Sequence, residues 1–321
     1  MRATAVLIVG LILLAPAANG GARGSAAARA PNSVAFWTDQ IGLIGLDSCR
    51  RRCSRGAVAL TIDGGRTSRV VFSTDRDVAV AGARGRSTAW IITRSCRSDV
   101  CRNERLFVTR DRGRHWRLLA RRPPTGVDFA NARLGMAVAG GNPYANGPTG
   151  IVLTSDGGRS WHHVHSPCSS WSGGATVSFP RPDRAWALCT SVGGVGSEEK
   201  AVYESRDRGH SWRARAETLI FGRRHVHGGI SFYGYPLGIS FAADGTGLLW
   251  EGRGTLYSTR DGGRQWRPHP RLAQPDADFG IAAWSLRNGR GFVLLARLPS
   301  IKLLASAGGR WRIRRRWILG P

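Results

Sequence analysis

Short apolar runs that alternate with polar residues, punctuated by glycine, dominate the chain from residue 34 onward. They include Val34-Ala-Phe-Trp37 with Gly42-Leu-Ile-Gly45, and Val127-Asp-Phe129 with Gly135-Met-Ala-Val-Ala-Gly140. Further copies are Val177-Ser-Phe179 with Ala185-Trp-Ala-Leu188, then Ile230-Ser-Phe232, then Phe279-Gly-Ile-Ala-Ala-Trp284 with Gly291-Phe-Val-Leu-Leu295. A period of two residues over such short runs predicts strands, not helices.

Each run leads to a second pattern, Thr/Ser-x-Asp-x-Gly-x-x-Trp. It occurs at Thr109-Arg-Asp111-Arg-Gly113-Arg-His-Trp116 and Thr154-Ser-Asp156-Gly-Gly158-Arg-Ser-Trp161. It recurs at Ser205-Arg-Asp207-Arg-Gly209-His-Ser-Trp212 and Thr259-Arg-Asp261-Gly-Gly263-Arg-Gln-Trp266. A first copy around Asp63 has Ser68 in the Trp position, and a degenerate last copy has Ser306 and Gly308 ahead of Trp311. From Asp63 to Ser306 the spacings are 48, 45, 51, 54 and 45 residues. Such a period with strand-like flanks predicts an all-β propeller of four-stranded blades, six by direct count, with a seventh left open. In each turn the Asp carboxylate and Thr/Ser hydroxyl accept backbone N–H groups, Gly supplies positive φ, and Trp covers the turn. These residues are therefore assigned a structural role.

The turns resemble the Asp boxes of the bacterial neuraminidase (sialidase) repeat superfamily. Combined with the Phe-x…Gly-x-Ala-Val-x-Gly element, they most resemble the photosystem II stability/assembly factor-like propellers, over residues ~34 to ~318 by the repeat criterion. The resemblance implies the fold; function sits on loops grafted to it. Exo-sialidase chemistry would need an arginine cluster, a glutamate-activated tyrosine and an aspartic acid/base. The family's Arg-Ile-Pro motif has only Arg297-Leu298-Pro299 as a counterpart, in the last blade, and no tyrosine follows Tyr257. A non-catalytic recognition or assembly scaffold is thus the preferred reading. An exo-sialidase-like or other glycoside hydrolase is the alternative.

Residues 1–18 read as a secretory signal: Arg2, an apolar stretch from Val6 to Leu14, then Ala15-Pro16-Ala17. Residues 19–33 read as a flexible leader and 34–321 as one propeller domain. Six cysteines (Cys49, Cys53, Cys96, Cys101, Cys168 and Cys189) suit an exported, disulfide-bonded protein, secreted or held in the periplasm or cell envelope. They allow 15 pairings; sequence proximity favours 49–53, 96–101 and 168–189.

In a four-stranded meander the A–B and C–D loops, which include the Asp turns, share one face, and the B–C and D–A loops share the other. All six cysteines then fall on the latter face, with the longer segments 83–104, 140–150, 166–174, 190–199 and 218–229. Ordered loops on a rigid ring are where binding is expected. The candidate ligand residues there are Arg223, Arg224, His225 and His227, with Tyr144 and Trp171 as aromatic surfaces. They would suit a protein, or a carbohydrate or anionic envelope polymer, through charge and stacking. His163-x-His165 and His225-x-His227 have the spacing of paired ligands but no evident third, so no metal and no cofactor is expected.

The net charge is +26, from 45 arginines and the two lysines Lys200 and Lys302. GC-rich coding produces that skew, and the arginines spread through every blade. General attraction to anionic surfaces is expected, specific nucleic-acid recognition is not, and the protein is read as a monomer.

Overall fold

The computed structural model describes residues 30–49, 53–97, 100–140, 149–218, 228–252, 255–270, 272, 279–297, 299–307 and 309–318. They form six four-stranded antiparallel sheets, each made of four consecutive strands.

Blade 1 comprises β1 (Ala30–Phe36), β2 (Gly42–Cys49), β3 (Cys53–Thr61) and β4 (Arg69–Thr74). Blade 2 comprises β5 (Asp77–Arg84), β6 (Thr88–Arg97), β7 (Val100–Thr109) and β8 (Arg117–Arg121). In blade 3 these are β9 (Thr125–Phe129), β10 (Gly135–Ala139), β11 (Gly150–Thr154) and β12 (His162–Val164). Blade 4 has β13 (Ala175–Arg181), β14 (Arg184–Thr190), β15 (Lys200–Ser205) and β16 (Arg213–Thr218). Blade 5 has β17 (Pro236–Phe241), β18 (Gly247–Glu251), β19 (Leu256–Thr259) and β20 (Arg267–Pro268). Blade 6 closes the ring with β21 (Phe279–Leu286), β22 (Arg290–Arg297), β23 (Ser300–Ala307) and β24 (Arg310–Ile318).

The first strand of each blade lines the central channel. Bulges break the register between first and second strands in every blade, for example at Val80/Gly82 and Gly280/Ala282. A bulge adds local twist, which lets each blade splay from channel to rim.

Three expectations change. β1 starts at Ala30, so the last residues of the stretch read as a leader already belong to the first inner strand. The inner strand of blade 5 carries Ile239-Ser240-Phe241, not the identical tripeptide Ile230-Ser231-Phe232, which lies outside any strand. The two copies are nine residues apart, and only the second is followed by a strand that pairs with it. The segment 83–104, expected as a long loop, is mostly the β6–β7 hairpin, with paired strands reaching Arg97 and Val100.

Blades pack through a recurring contact. An aromatic near the end of an inner strand stacks on a ring in the second strand of the preceding blade. The pairs are Phe36–Phe292, Trp90–Phe129 and Trp186–Phe241, with centroids 3.5, 4.4 and 4.1 Å apart. Flat rings fit the narrow wedge between neighbouring sheets, and each buries a large apolar area there.

The turn chemistry follows the sequence pattern. In blade 3, Thr154 Oγ1 donates to Asp156 Oδ1 at 2.8 Å and accepts the Gly158 N–H at 2.9 Å. Asp156 in turn accepts the N–H groups of Arg159 and Ser160. The same set recurs around Asp63, Asp111, Asp207 and Asp261. Amide and hydroxyl donors from Thr67 and Ser211 hold the Asp63 and Asp207 carboxyls down at about 2 despite the opposing effect of desolvation. Gly113, Gly158, Gly209 and Gly263 have φ between 87° and 95°, a conformation that side chains resist. Trp116 stacks edge-on against Phe72 of the preceding blade, Trp161 against Phe129 and Trp266 against Phe241, while the Trp212 indole N–H reaches the His165 carbonyl at 2.9 Å.

Candidate functional site

The cysteine-bearing loops gather on one face, as the strand alternation requires. Cys96 bonds Cys101 across the β6–β7 turn, and Cys168 bonds Cys189 at the end of β14. Cys49 and Cys53 face each other in the β2–β3 register, but their side chains lie outside the described set. Arg223, Arg224, His225, His227 and Tyr144 also lie outside the described residues. Trp171 is described, and it is not a free stacking surface. It packs, half-buried, against the apolar cluster that contains Met136, Cys168, Phe179 and Cys189. His163 and His165 are exposed on either side of Val164.

Among the described residues, the one group with metal-like proximity is Asp77 with Cys96 and Cys101. The two sulfurs are bonded to each other, so neither is a thiolate ligand.

On this face blades 3, 4 and 5 enclose a groove of about 710 Å³, lined by Val138, Leu188, Val192, Glu198, Tyr235 and Leu237 among others. Beside it Val192, Val195, Tyr233 and Leu237 stand 57, 106, 74 and 49 % exposed. Four large apolar side chains clustered in this way are unusual for a surface that must face only water.

Three devices fix the groove's walls. The 168–189 disulfide ties the incoming loop to the second strand of blade 4. The 190–199 loop folds into a Gly194–Ser197 bridge and is stitched to the segment before blade 5. There Gly196 N–H donates to the Tyr235 hydroxyl at 2.8 Å, and Gly234 N–H donates to the Gly196 carbonyl at 2.9 Å. Beneath, the fully buried Lys200 ammonium bonds Glu251 Oε1 at 2.6 Å and the Tyr233 and Gly234 carbonyls at 3.3 and 3.1 Å. Burial pushes Lys200 down and Glu251 up, and the attraction between the two opposes both shifts. Glu198, half-buried at the groove, has its carboxyl raised by desolvation. Sequence reasoning missed this site because its residues come from three blades and from Gly/Ser-rich loops without periodicity.

Several carboxylates of the inner strands and blades are committed to partners, while Glu104 lines the channel cavity half-buried. Asp128 accepts both its bonds to Arg84 Nη2 (2.9 and 2.8 Å) and the amides of Phe129 and Phe179. Glu204 is enclosed by Arg184, Arg206 and Arg215. Asp47 and Asp77 hydrogen-bond to each other at the seam of blades 1 and 2. Tyr257 has Glu251 nearby, the residue types of a carboxylate-activated phenol. Its hydroxyl is instead buried, accepts the Ser231 N–H at 3.2 Å and is pushed up to about 12 by desolvation. That is the reverse of an activated nucleophile.

The channel itself is a cavity of about 370 Å³ along the inner strands, opening on the turn face into a mouth of about 590 Å³ beside Trp37, Asp39, Arg84 and Arg290. Among the described residues no helix is long and apolar enough to cross a membrane.

No known protein-family profile and no curated protein sequence matches the chain. Solved structures do. YCF48 bound to D1 peptide is 17 % identical, with a TM-score of 0.51 over 90 % of this chain and 82 % of that one. The α-L-arabinofuranosidase Arb93A from Fusarium graminearum, in complex with an iminosugar inhibitor, is 13 % identical, with a TM-score of 0.52 over 88 % and 91 %. The NanB sialidase from Streptococcus pneumoniae is 11 % identical, with a TM-score of 0.52 over 85 % and 65 %. By fold, the chain is a six-bladed sialidase-like β-propeller resembling YCF48.

Proposed function

We propose that the protein is an exported, non-catalytic binding scaffold that holds an extended polypeptide in the groove between blades 3, 4 and 5. In this reading residues 1–18 are removed as a signal, the five Thr/Ser-x-Asp-x-Gly turns are Asp boxes that brace the ring, and the cystines serve the oxidising side of a membrane. The observation that carries it is the groove: about 710 Å³, apolar at its rim, held rigid by a disulfide and a buried ion pair. Pre-formed walls lower the ordering cost of binding, and exposed aliphatic and aromatic anchors are what a peptide's side chains need. YCF48 is seen with a peptide bound and the equally similar Arb93A with an iminosugar, so the choice of a polypeptide rests on the apolar rim of the groove.

The test is selection of peptides from a random display library on the purified protein. Enriched peptides should lose about tenfold or more in affinity with Leu237→Asp or Val192→Asp and keep it with Ile62→Asp on the opposite face. Peptides indifferent to the groove substitutions would refute the assignment. The hydrolase alternative is tested separately with fluorogenic sialosides and arabinofuranosides; turnover abolished by Glu198→Gln would replace the scaffold reading.

A further inference from the structure

Superposing the six turns by their Asp position brings out an order that the linear sequence hides. The third residue after the Asp is Arg66, Arg114, Arg159, His210 and Arg264 in the first five turns; the degenerate sixth has Gly309 there and Arg310 next to it. The sixth residue after the Asp, which opens the outermost strand in blades 1 to 5 and is the third residue of that strand in blade 6, is Arg69, Arg117, His162, Arg213, Arg267 and Arg312. Every one of these side chains is exposed. An even scatter of 45 arginines over 321 residues would place about two in twelve positions, where nine are found. Composition alone does not place the arginines in register.

The register has a geometric consequence. Equivalent positions of blades arranged around one channel lie on a common circle, so the nine arginines, with His162 and His210 at two further positions, form two concentric tiers around the outer rim of the turn face. Acidic groups on this face, the exposed Asp207, Asp244 and Asp261 included, are bonded locally and not to the tier side chains; the five box carboxylates keep their charge, so each turn sets one acid beside one or two arginines. The box carboxylates are spent on their own turn amides, Asp39 pairs with Arg290, Asp183 with Arg181, and Asp244 accepts the N–H groups of Thr246 and Asn288. Among the described residues none of the eleven tier residues pairs with a carboxylate. Arg66 and Arg159 donate to the carbonyls of Asp63 and Asp156, which fixes the guanidinium without neutralising it.

We propose that this face docks flat on an anionic lipid bilayer, the two cationic tiers meeting phosphate-bearing headgroups around the whole rim. A linear polyanion such as a nucleic acid strand engages only an arc of a circle at a time, whereas a planar surface meets every blade at once. Docked in this way, the disulfide-braced face and its groove point away from the membrane. The inference goes beyond the groove assignment and does not depend on it.

The experiment is co-sedimentation of the full-length chain with vesicles of phosphatidylcholine, with and without 30 % phosphatidylglycerol, over a range of salt. The variant is Arg66→Gln/Arg159→Gln/Arg264→Gln. Its control is Arg102→Gln/Arg121→Gln/Arg297→Gln, which removes the same charge from exposed positions at the other ends of the strands. At roughly fivefold per arginine near an anionic surface, the tier variant should lose about 100-fold in partitioning, and the control no more than a few-fold. A second tier triple, Arg117→Gln/Arg213→Gln/Arg312→Gln, should repeat the loss, and unchanged melting temperatures show that all three fold. Equal losses in the tier and control variants overturn the proposal in favour of undirected net charge. Equal binding to vesicles with and without phosphatidylglycerol overturns it outright. So does duplex DNA binding that shows the same tier dependence while the vesicles are ignored.

Discussion

The Trp284 indole N–H donates to the Phe36 carbonyl at 2.8 Å, a bond between the first and the last blade across 248 residues of chain. Each blade is built from four consecutive strands, so no strand is shared across the point of closure. Among the described residues the ring is shut by side-chain packing and side-chain hydrogen bonds, without a shared strand. Phe36 stacks on Phe292 with centroids 3.5 Å apart, Leu303 fills the space over Gly65, and Arg315 donates to the Ser68 hydroxyl at 2.8 Å.

Closure by packing makes this seam sensitive to truncation. Phe292→Ala removes a fully buried ring and leaves its partner Phe36 facing a cavity, and should cost about 3–5 kcal/mol. Trp284→Phe keeps most of the bulk but strands the Phe36 carbonyl, for about 1–3 kcal/mol. Urea unfolding followed by tryptophan fluorescence and circular dichroism gives both numbers. A cost below about 1 kcal/mol for Phe292→Ala would mean the ring does not depend on this stack.

Lys200 and Glu251 offer a second test. Replacing Lys200 by Met leaves a buried carboxylate without its partner and should destabilise by about 3–5 kcal/mol. Adding Glu251→Leu removes the orphaned charge and should restore most of that loss. Because Lys200 also binds the carbonyls of Tyr233 and Gly234, the double variant is expected to recover stability while still binding groove peptides less tightly. Recovery of both together would show that the pair does not position the groove.

What could be read from the sequence divides along physical lines. The turns were legible because Asp, Gly and Thr/Ser at fixed offsets satisfy a local set of N–H groups, and nothing distant is needed to form it. Short-range cystines were legible for the same reason, and the 96–101 and 168–189 bonds are present. The inner strand of blade 5 was misplaced because Ile-Ser-Phe occurs twice, at 230 and 239, and pairing partners rather than local pattern decide between them. Trp171 was read as a surface ring; it is half-buried, packed against the apolar cluster that contains Cys168 and Cys189. Lys200 and Glu251 are 51 residues apart and the groove contact of Gly196 with Tyr235 spans 39, each joining separate blades over a distance at which a single sequence carries no signal.

The 168–189 disulfide should matter for binding more than the 96–101 bond. It closes a span of 21 residues next to the groove, against five for the hairpin bond. By loop-closure entropy, Cys168→Ala/Cys189→Ala should cost about 3 kcal/mol. It should also weaken groove peptides several-fold by loosening the wall at Ala175 and Leu188. Paired melting and peptide-titration measurements on this variant and on Cys96→Ala/Cys101→Ala check the order of the effects. A larger binding loss from the 96–101 pair would move the site to another part of this face.

The Asp47–Asp77 contact predicts how stability depends on pH. Both carboxyls are buried, and Asp77 Oδ1 has no hydrogen-bond partner among the described residues, so a proton shared with Asp47 would supply one. Burial and the neighbouring Asp77 raise Asp47 from an ordinary 3.8 to about 8, against the opposing pull of the Val78 amide and Asn32. Between about pH 4 and 8 the folded chain therefore holds a proton that the unfolded chain has lost. Stability from this site is complete below pH 4, falls as pH rises through that window, and is gone above 8. The Asp63 and Asp207 carboxyls run the other way, contributing above pH 4 and failing only as the pH drops toward about 2, so they do not mask the effect at neutral pH. Asp77→Asn isolates it. The amide oxygen keeps the Arg94 contact, and the new N–H group donates to an ionised Asp47, so no proton is needed. Melting temperatures of the two proteins should agree near pH 4.5 and diverge upward, with Asp77→Asn at least about 3 °C more stable at pH 8. Parallel curves across that range would show that Asp47 is ionised in the folded protein and that the two carboxyls do not share a proton.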